Sequence, residues 1–160
     1  MGKVGKEIIG LNIDQLIERL NKALADEWLA YYQYWIGAKV VSGIMSDKVA
    51  AELEEHALEE LKHADMLTER ILQLGGIPIL NPNDWKEQTN CGYSAPKDFN
   101  VRPILKQNIE GERCAIAIYK ELLEFVRGKD DISFQIILEI LKEEVKHEDD
   151  LENILENDLS

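Results

Sequence analysis

Two short stretches of the sequence place a carboxylate and an imidazole three residues apart: Glu60-Leu-Lys-His63 and Glu144-Val-Lys-His147. Side chains at this spacing lie on one face of a helix, so each pair can bind one metal ion. Both pairs also fall on the apolar stripe of their predicted helices, where an unpaired charge costs several kcal/mol. The two pairs therefore indicate a buried site for two metal ions.

Two further glutamates, Glu27 and Glu112, interrupt the apolar stripes of two other predicted helices. Nearly the same number of residues separates Glu27 from Glu60 as separates Glu112 from Glu144, so the two halves of the chain form a loose repeat. Four carboxylates and two neutral imidazoles offset the charge of two dications and suit Fe or Mn, with Zn also possible. We expect Glu60 and Glu144 to bridge the ions and Glu27 and Glu112 to be terminal ligands.

Other polar side chains lie close to this set in the helical pattern. Glu59 and Glu143 each precede a motif glutamate and could orient the far nitrogen of the facing helix's histidine, although exposure to solvent is equally compatible with the pattern. His56 lies seven residues before His63 and could face the same way. A structural histidine is a simpler interpretation of His56 than a third ligand.

Two tyrosines, Tyr34 and Tyr119, each follow a stripe glutamate by two helical turns. Near an oxidising metal pair, a phenol could donate an electron or a hydrogen bond, and Tyr34 is a candidate electron donor. A plain packing role is the alternative, because buried tyrosines at this spacing are common in helical cores.

Four long amphipathic helices must position these side chains. Apolar residues repeat in steps of three and four, and the predicted bounds are 13–41, 47–74, 101–127 and 132–156. Asn12 and Ser46-Asp47 are typical N-caps, and Gly75-Gly76 is a typical helix end.

A long crossover, residues 75–100, separates the second and third helices. Its prolines and asparagines exclude a long helix, but Asn81-Pro82 begins a short one that ends near Gln88. A connection of this length can traverse a bundle from end to end. The predicted fold class is therefore all-α: a ferritin-like four-helix bundle with a crossover that carries a short extra helix between helices two and three.

Length and charge limit the possible functions. The 160 residues suit a single domain, 1–160, with a flexible N-terminal segment, 1–11. The formal net charge of −13 argues against nucleic acid, and no apolar run approaches the length of a membrane span. With no signal-peptide pattern and only two cysteines, the sequence predicts a cytoplasmic protein.

On these residues, the sequence resembles the ferritin-like superfamily over nearly its whole length. The six glutamates and histidines match the ferroxidase site of bacterioferritins, and Tyr34 and Tyr119 also match. A methionine that binds haem in bacterioferritins is replaced by Leu61 here, so the resemblance does not imply haem.

The short crossover helix is similar to the extra helix of Dps mini-ferritins, which form cages of twelve subunits. Ordinary Dps proteins build their metal site between subunits, whereas this chain carries a bacterioferritin-like site. Together with Cys91 and Cys114, this combination resembles the Dps-like proteins called thioferritins, in which two cysteines lie near the metal site and can pair. The residues alone place Cys114 on an outer flank of helix three, where Cys91 could reach it; a disulfide and two unpaired thiols both remain open.

The resemblance implies a function. A thioferritin-type protein would be a hollow dodecamer that binds two Fe ions per chain, oxidises Fe(II) with hydrogen peroxide or oxygen, preferentially with hydrogen peroxide, stores the Fe(III) and protects against oxidative stress. The alternative is a manganese catalase or a rubrerythrin-like peroxidase with the same ligands. The chain lacks the double Cys-x-x-Cys of rubrerythrins and a basic tail for compacting DNA.

Overall fold

The computed structural model describes residues 2–158 of the chain, so Met1 and residues 159–160 of the predicted domain lie outside it. Four long helices occupy the predicted positions: α2 (Ile13–Val40), α3 (Ser46–Leu74), α5 (Val101–Val126) and α6 (Asp131–Asn153). A π-helical turn, Ile154–Asp158, continues α6. The predicted all-α, ferritin-like bundle is confirmed.

Two shorter helices complete the described part of the chain. In the crossover, the 3-10 turn Pro82–Asp84 leads into α4 (Trp85–Gln88), and the side chain of Asn81 accepts a hydrogen bond from the backbone of Asn83, as the Asn-Pro pattern indicates. The other short helix, α1 (Lys3–Glu7), lies in the N-terminal segment, where the sequence predicts none.

The ends of the long helices follow the predicted caps with one exception. Asn12 Oδ1 accepts a hydrogen bond of 2.9 Å from the backbone of Gln15, and Gly75 ends α3 in the left-handed conformation. The Ser46-Asp47 cap was wrong. Ser46 is already helical, and Met45 stands at the N-cap with a φ of 69° and no side-chain hydrogen bond.

The core consists of two apolar clusters with a polar layer between them. One cluster includes Leu20, Leu67 and Ile137, and the other includes Leu53, Leu105 and Leu151. In each long helix, the metal-binding candidates fall between the residues of one cluster and those of the other. Apolar packing at both ends therefore fixes four helices around a central polar layer.

The crossover runs the length of the bundle. Asn21 of α2 binds its start through the backbone of Ile77 and Ile79, and Ser42 binds its end through the backbone of Phe99 and Val101. Helix α5 therefore begins beside the α2–α3 turn and runs parallel to α3, as predicted. None of the helices in the described part of the chain is long and apolar enough to span a membrane.

Candidate metal centre

Six side chains from the four long helices converge in the polar layer, and none of these residues is more than 3% exposed. They are the full predicted ligand set: Glu27, Glu60, His63, Glu112, Glu144 and His147. Each helix contributes through its apolar stripe, because the helical repeat that buries leucines above and below the layer also buries these residues.

The first group of ligating atoms surrounds His63. Its Nδ1 atom lies 3.4 Å from Glu27 Oε2, 3.1 Å from Glu60 Oε2 and 3.0 Å from Glu144 Oε1. These four residues offer one imidazole nitrogen and three carboxylate oxygens within 4.8 Å of one another, a spacing that suits a single metal ion.

The second group repeats the first around His147. Its Nδ1 atom lies 3.2 Å from Glu60 Oε1, 3.8 Å from Glu112 Oε2 and 3.8 Å from Glu144 Oε2. Glu60 and Glu144 belong to both groups, and each presents a different oxygen to each histidine. The arrangement is the one expected if these two carboxylates bridge two ions.

Several buried atoms of the two groups lack hydrogen-bond partners within residues 2–158. These atoms are Glu27 Oε2, Glu60 Oε1, Glu112 Oε2, Glu144 Oε1 and His147 Nδ1. Buried polar atoms are rarely left without partners in folded proteins, and exceptions call for an ion, a water or another cause. The donor set and its unmet lone pairs fit a pair of Fe, Mn or Zn ions.

Burial and mutual repulsion shift the pKa values of the buried carboxylates. Burial, followed by the charge of Glu60, raises the pKa of Glu27 to about 8 and that of Glu144 well above its usual range. Burial also opposes ionisation of Glu60, but its close contacts with His147 and His63 outweigh burial and lower its pKa. Without metal, protons therefore occupy part of the ligand set.

The pKa values of both histidines are raised, whereas burial alone lowers the pKa of an imidazole. Burial opposes protonation of His147, but its contacts with Glu112 and Glu60 outweigh burial and raise its pKa to about 11. Burial likewise opposes protonation of His63, but its close contacts with Glu144, Glu27 and Glu60 outweigh burial and raise its pKa. In the metal-free protein, both rings act as cations that partly neutralise the glutamates.

The outer nitrogens of both histidines contact carboxylates on the facing helix. His147 Nε2 lies 2.7 Å from Glu59 Oε2, and His63 Nε2 lies 2.7 Å from Glu143 Oε2. Lys62 Nζ holds Glu143 from its other oxygen at 2.9 Å. Glu59 and Glu143 therefore orient the imidazole rings, as predicted. The alternative, in which both carboxylates only face solvent, is excluded.

Two tyrosines bind glutamates across the bundle. Tyr34 of α2 donates a hydrogen bond to Glu112 of α5, and Tyr119 of α5 donates one to Glu27 of α2. Burial raises the pKa of each phenol well above its usual range, with the charge of the bonded glutamate as the next cause. Both phenols are therefore protonated donors that orient the carboxylates of Glu112 and Glu27.

Residues 17–159 match the model of the Ferritin-like domain. The chain belongs to the ferritin-like family. It is 32% identical to the DNA protection during starvation protein of Pyrococcus furiosus, over 93% of this chain and 81% of that one. It is also 34% identical to the bacterioferritin of Brucella melitensis, over 89% of this chain and 83% of that one.

Among solved structures, this ferritin-like protein is similar to the dodecameric thioferritin of Bacteroides fragilis, a bacterioferritin-related protein. The identity is 46%, the TM-score is 0.91, and the match covers 96% of this chain and 90% of that one. The prediction of a Dps-like member of the ferritin-like superfamily is confirmed.

The two cysteines of this ferritin-like protein are bonded to each other. Cys91 in the crossover and Cys114 in α5 form a disulfide with a Cα–Cα distance of 5.9 Å. Of the two possibilities that the sequence leaves open, the structure contains the disulfide. It ties the crossover to α5 two residues beyond Glu112.

An aspartate that sequence reasoning missed holds the loop before the disulfide. Asp26 accepts hydrogen bonds from the hydroxyl of Thr89, from the backbone of Asn90 at 2.8 Å and from the backbone of Cys91 at 2.9 Å. Asp26 is the neighbour of Glu27, so one turn of α2 positions both a candidate ligand and residues 89–91 of the crossover. A single acidic residue in an acidic helix carries no signal for such a role.

A pocket beside the disulfide reaches the candidate metal centre of this ferritin-like protein. Its lining includes Cys91 and Gly92 from the crossover and Gly111 from α5, together with four carboxylates of the centre: Glu27, Glu60, Glu112 and Glu144. The crossover therefore contributes to the wall of a pocket that four of the candidate ligands also line.

Proposed function

We propose that this chain is a ferroxidase and iron-storage mini-ferritin of the thioferritin type, which oxidises Fe(II), preferentially with hydrogen peroxide, and protects against oxidative stress. The observation that carries the proposal is the pair of buried groups, each of one histidine and three glutamates, that share Glu60 and Glu144. Family membership and the similarity to a dodecameric thioferritin support the same function.

Each candidate ligand has a place in this proposal. Glu27 and His63 bind one iron, Glu112 and His147 bind the other, and Glu60 and Glu144 bridge them. Two Fe(II) ions bound in this way each give one electron to hydrogen peroxide, whose O–O bond breaks with uptake of two protons to form two waters and two Fe(III) ions.

The remaining side chains keep the ligand set in place. Glu59 and Glu143 accept hydrogen bonds from the outer nitrogens of the histidines and leave Nδ1 of each ring directed at the carboxylates. Tyr34 and Tyr119 hold the terminal glutamates, and Tyr34 is our candidate electron donor. Since the metal-free site holds protons on its histidines and on Glu27, binding of Fe(II) releases protons beside the reaction that consumes them.

Storage requires an enclosed space, and we propose that the chain assembles into a dodecameric cage. The supporting observation is the 46% identity to the dodecameric thioferritin. A surplus of carboxylates, reflected in the net charge of −13, favours attraction of cations. Mass photometry of the purified protein tests this assembly, and a monomer or dimer would contradict it.

The cellular setting forms part of the proposal. We propose a cytoplasmic protein, in which the Cys91–Cys114 disulfide responds to the redox state because the cytoplasm keeps most cysteines in the reduced thiol form. We also propose that the protein does not bind nucleic acid, since phosphate binding depends on clustered Lys and Arg. Retardation of plasmid DNA at physiological salt would contradict this part.

Iron loading tests the proposed activity. The metal-free protein is loaded anaerobically with Fe(II) and then given stoichiometric hydrogen peroxide. We expect a soluble ferric core that stays with the protein on size-exclusion chromatography. A variant with Glu60→Ala and Glu144→Ala should keep the assembly but lose two-metal binding and rapid oxidation.

Two outcomes would contradict the proposal. If no more than two irons per chain remain with the protein, it does not store iron. Continued consumption of peroxide without net iron uptake would instead match the manganese catalase or rubrerythrin-like alternative. Retention of both metals in the Glu60→Ala, Glu144→Ala variant would show that the ligands lie elsewhere.

A further inference from the structure

A buried histidine beside the candidate metal centre has no hydrogen-bond partner among the residues that the structure describes. It is His56 of α3, which is fully buried and whose two ring nitrogens are both unsatisfied. Its ring stacks on that of His147, with centroids 4.1 Å apart and an interplanar angle of 22°. Packing explains the position of the ring but not its two unsatisfied nitrogens, because a buried polar atom without a partner destabilises the folded state.

One nitrogen of His56 is directed at two carboxylates outside the two groups already described. His56 Nε2 lies 3.3 Å from Glu52 Oε1 on α3 and 3.9 Å from Asp150 Oδ2 on α6. The three residues offer three ligating atoms within 4.8 Å of one another. The carboxylates are partly exposed, at 26% and 31% of their side chains, whereas the histidine is enclosed.

Charge in this cluster favours a cation. Burial, followed by the charge of Asp150, raises the pKa of Glu52, which is the expected effect of crowding two carboxylates. One cation is already present, since Lys146 Nζ lies 3.0 Å from Asp150 Oδ2. Lys146 is the more exposed partner, at 54% of its side chain, and can move into solvent when another cation takes its place.

We propose that Glu52, His56 and Asp150 bind a third divalent transition-metal ion per chain. One imidazole and two carboxylates suit Fe, Mn or Zn better than Mg or Ca, which prefer oxygen ligands alone. The stacked rings of His56 and His147 place this site directly beside the second metal group. The proposal concerns binding alone and does not depend on the proposed ferroxidase activity.

Zinc binding to the assembled, metal-free protein tests this site. Equilibrium dialysis against Zn(II) with elemental analysis should give about three ions per chain for the unmodified protein. The Glu52→Gln, Asp150→Asn variant should give about two, because the partly exposed carboxylates can be neutralised without altering the core. A matched control, Glu69→Gln with Asp149→Asn, removes the same charge from exposed positions on the same helices and should keep about three.

Two further variants separate this site from the dimetal centre. Glu60→Ala with Glu144→Ala should still bind about one zinc ion per chain, and Lys146→Gln should tighten binding of the third ion severalfold by removing its competitor. The proposal is overturned if Glu52→Gln, Asp150→Asn binds as much zinc as the unmodified protein. It is equally overturned if the Glu60→Ala, Glu144→Ala variant binds none.

Diffraction from zinc-soaked crystals gives an independent result. We expect an anomalous peak in contact with His56 Nε2 and the carboxylates of Glu52 and Asp150. Peaks confined to the two groups around His63 and His147 would contradict the third site while leaving the dimetal proposal intact.

Discussion

Glu59 Oε2 on α3 lies 2.7 Å from His147 Nε2 on α6, and Glu143 on α6 makes the same contact with His63 on α3. The two helices therefore exchange equivalent hydrogen bonds across the bundle. When Nε2–H donates to the outer carboxylate, the lone pair of Nδ1 is left for a metal ion. Glu59 and Glu143, one from each helix, thus set the direction of both imidazoles.

Glu59→Gln should weaken metal binding at the centre by roughly 10–100-fold, because a neutral amide orients and polarises the imidazole less well than a carboxylate. Competition between the protein and a zinc chelator measures this change. Glu69→Gln, an exposed glutamate on the same helix, is the control for loss of one charge. An unchanged affinity in Glu59→Gln would mean that the contact does not support ligation.

Tyr34→Phe and Tyr119→Phe each remove one hydrogen bond to a buried terminal glutamate. Because hydrogen bonds to charged groups contribute about 1.5–3 kcal/mol, each variant should lower zinc affinity by roughly tenfold or more. Comparison of the two also tests the electron-donor role of Tyr34. Stopped-flow measurement of Fe(II) oxidation should show a greater loss of rate in Tyr34→Phe; equal losses would reduce both residues to positioning the carboxylates.

Reduction of the Cys91–Cys114 disulfide should destabilise the fold. A closed loop of this length restricts the unfolded chain and contributes about 3 kcal/mol. Thermal unfolding with and without a thiol reductant measures the shift in Tm. Cys91→Ser with Cys114→Ser should unfold at the reduced protein's Tm and show no response to reductant, and a response in that variant would identify a cause other than the disulfide.

The metal-free protein should lose stability as the pH rises. The pKa of His147 is 6.5 when unfolded and about 11 when folded, so its contribution is complete below 6.5 and is lost towards 11. Glu27, with a pKa raised from 4.5 to about 8, acts in the same direction between those values, since the folded state binds its proton more tightly.

Bound metal should reverse this dependence, because ligands must lose their protons to bind and a higher pH favours that loss. Scanning fluorimetry at about pH 6 and about pH 9 compares the chelator-treated protein with the zinc-loaded protein. From the lower to the higher pH, we expect the Tm of the chelator-treated protein to fall by at least about 2–4 °C. The difference in Tm between the zinc-loaded and the chelator-treated protein should widen. A gap that narrows at the higher pH would contradict the assigned proton occupancy.

The sequence predicts much of this molecule because one signal, apolar periodicity, determines both the helices and the positions of their buried exceptions. A glutamate on an apolar stripe, such as Glu27, is conspicuous because the pattern around it is regular. The cap at Met45 was missed because the sequence offers a better capping residue at Ser46, and only the tertiary turn decides between them. Of the partners of His56, Glu52 lies one helical turn earlier on the same helix, but Asp150 comes from another helix and only the packed bundle brings it close.

Asp26→Ala should loosen the loop that leads to Cys91, because Asp26 accepts hydrogen bonds from three consecutive residues, 89–91. Loss of one such charged hydrogen bond costs about 1.5–3 kcal/mol, so closure of the disulfide from the reduced protein should slow by roughly tenfold. Thiol trapping followed by mass spectrometry measures this rate. The control is Asp14→Ala, another substitution on α2 but far from the loop in sequence, and its disulfide should close at the rate of the unmodified protein. If the disulfide of Asp26→Ala also closes at that rate, the loop is held by the disulfide and the crossover contacts alone.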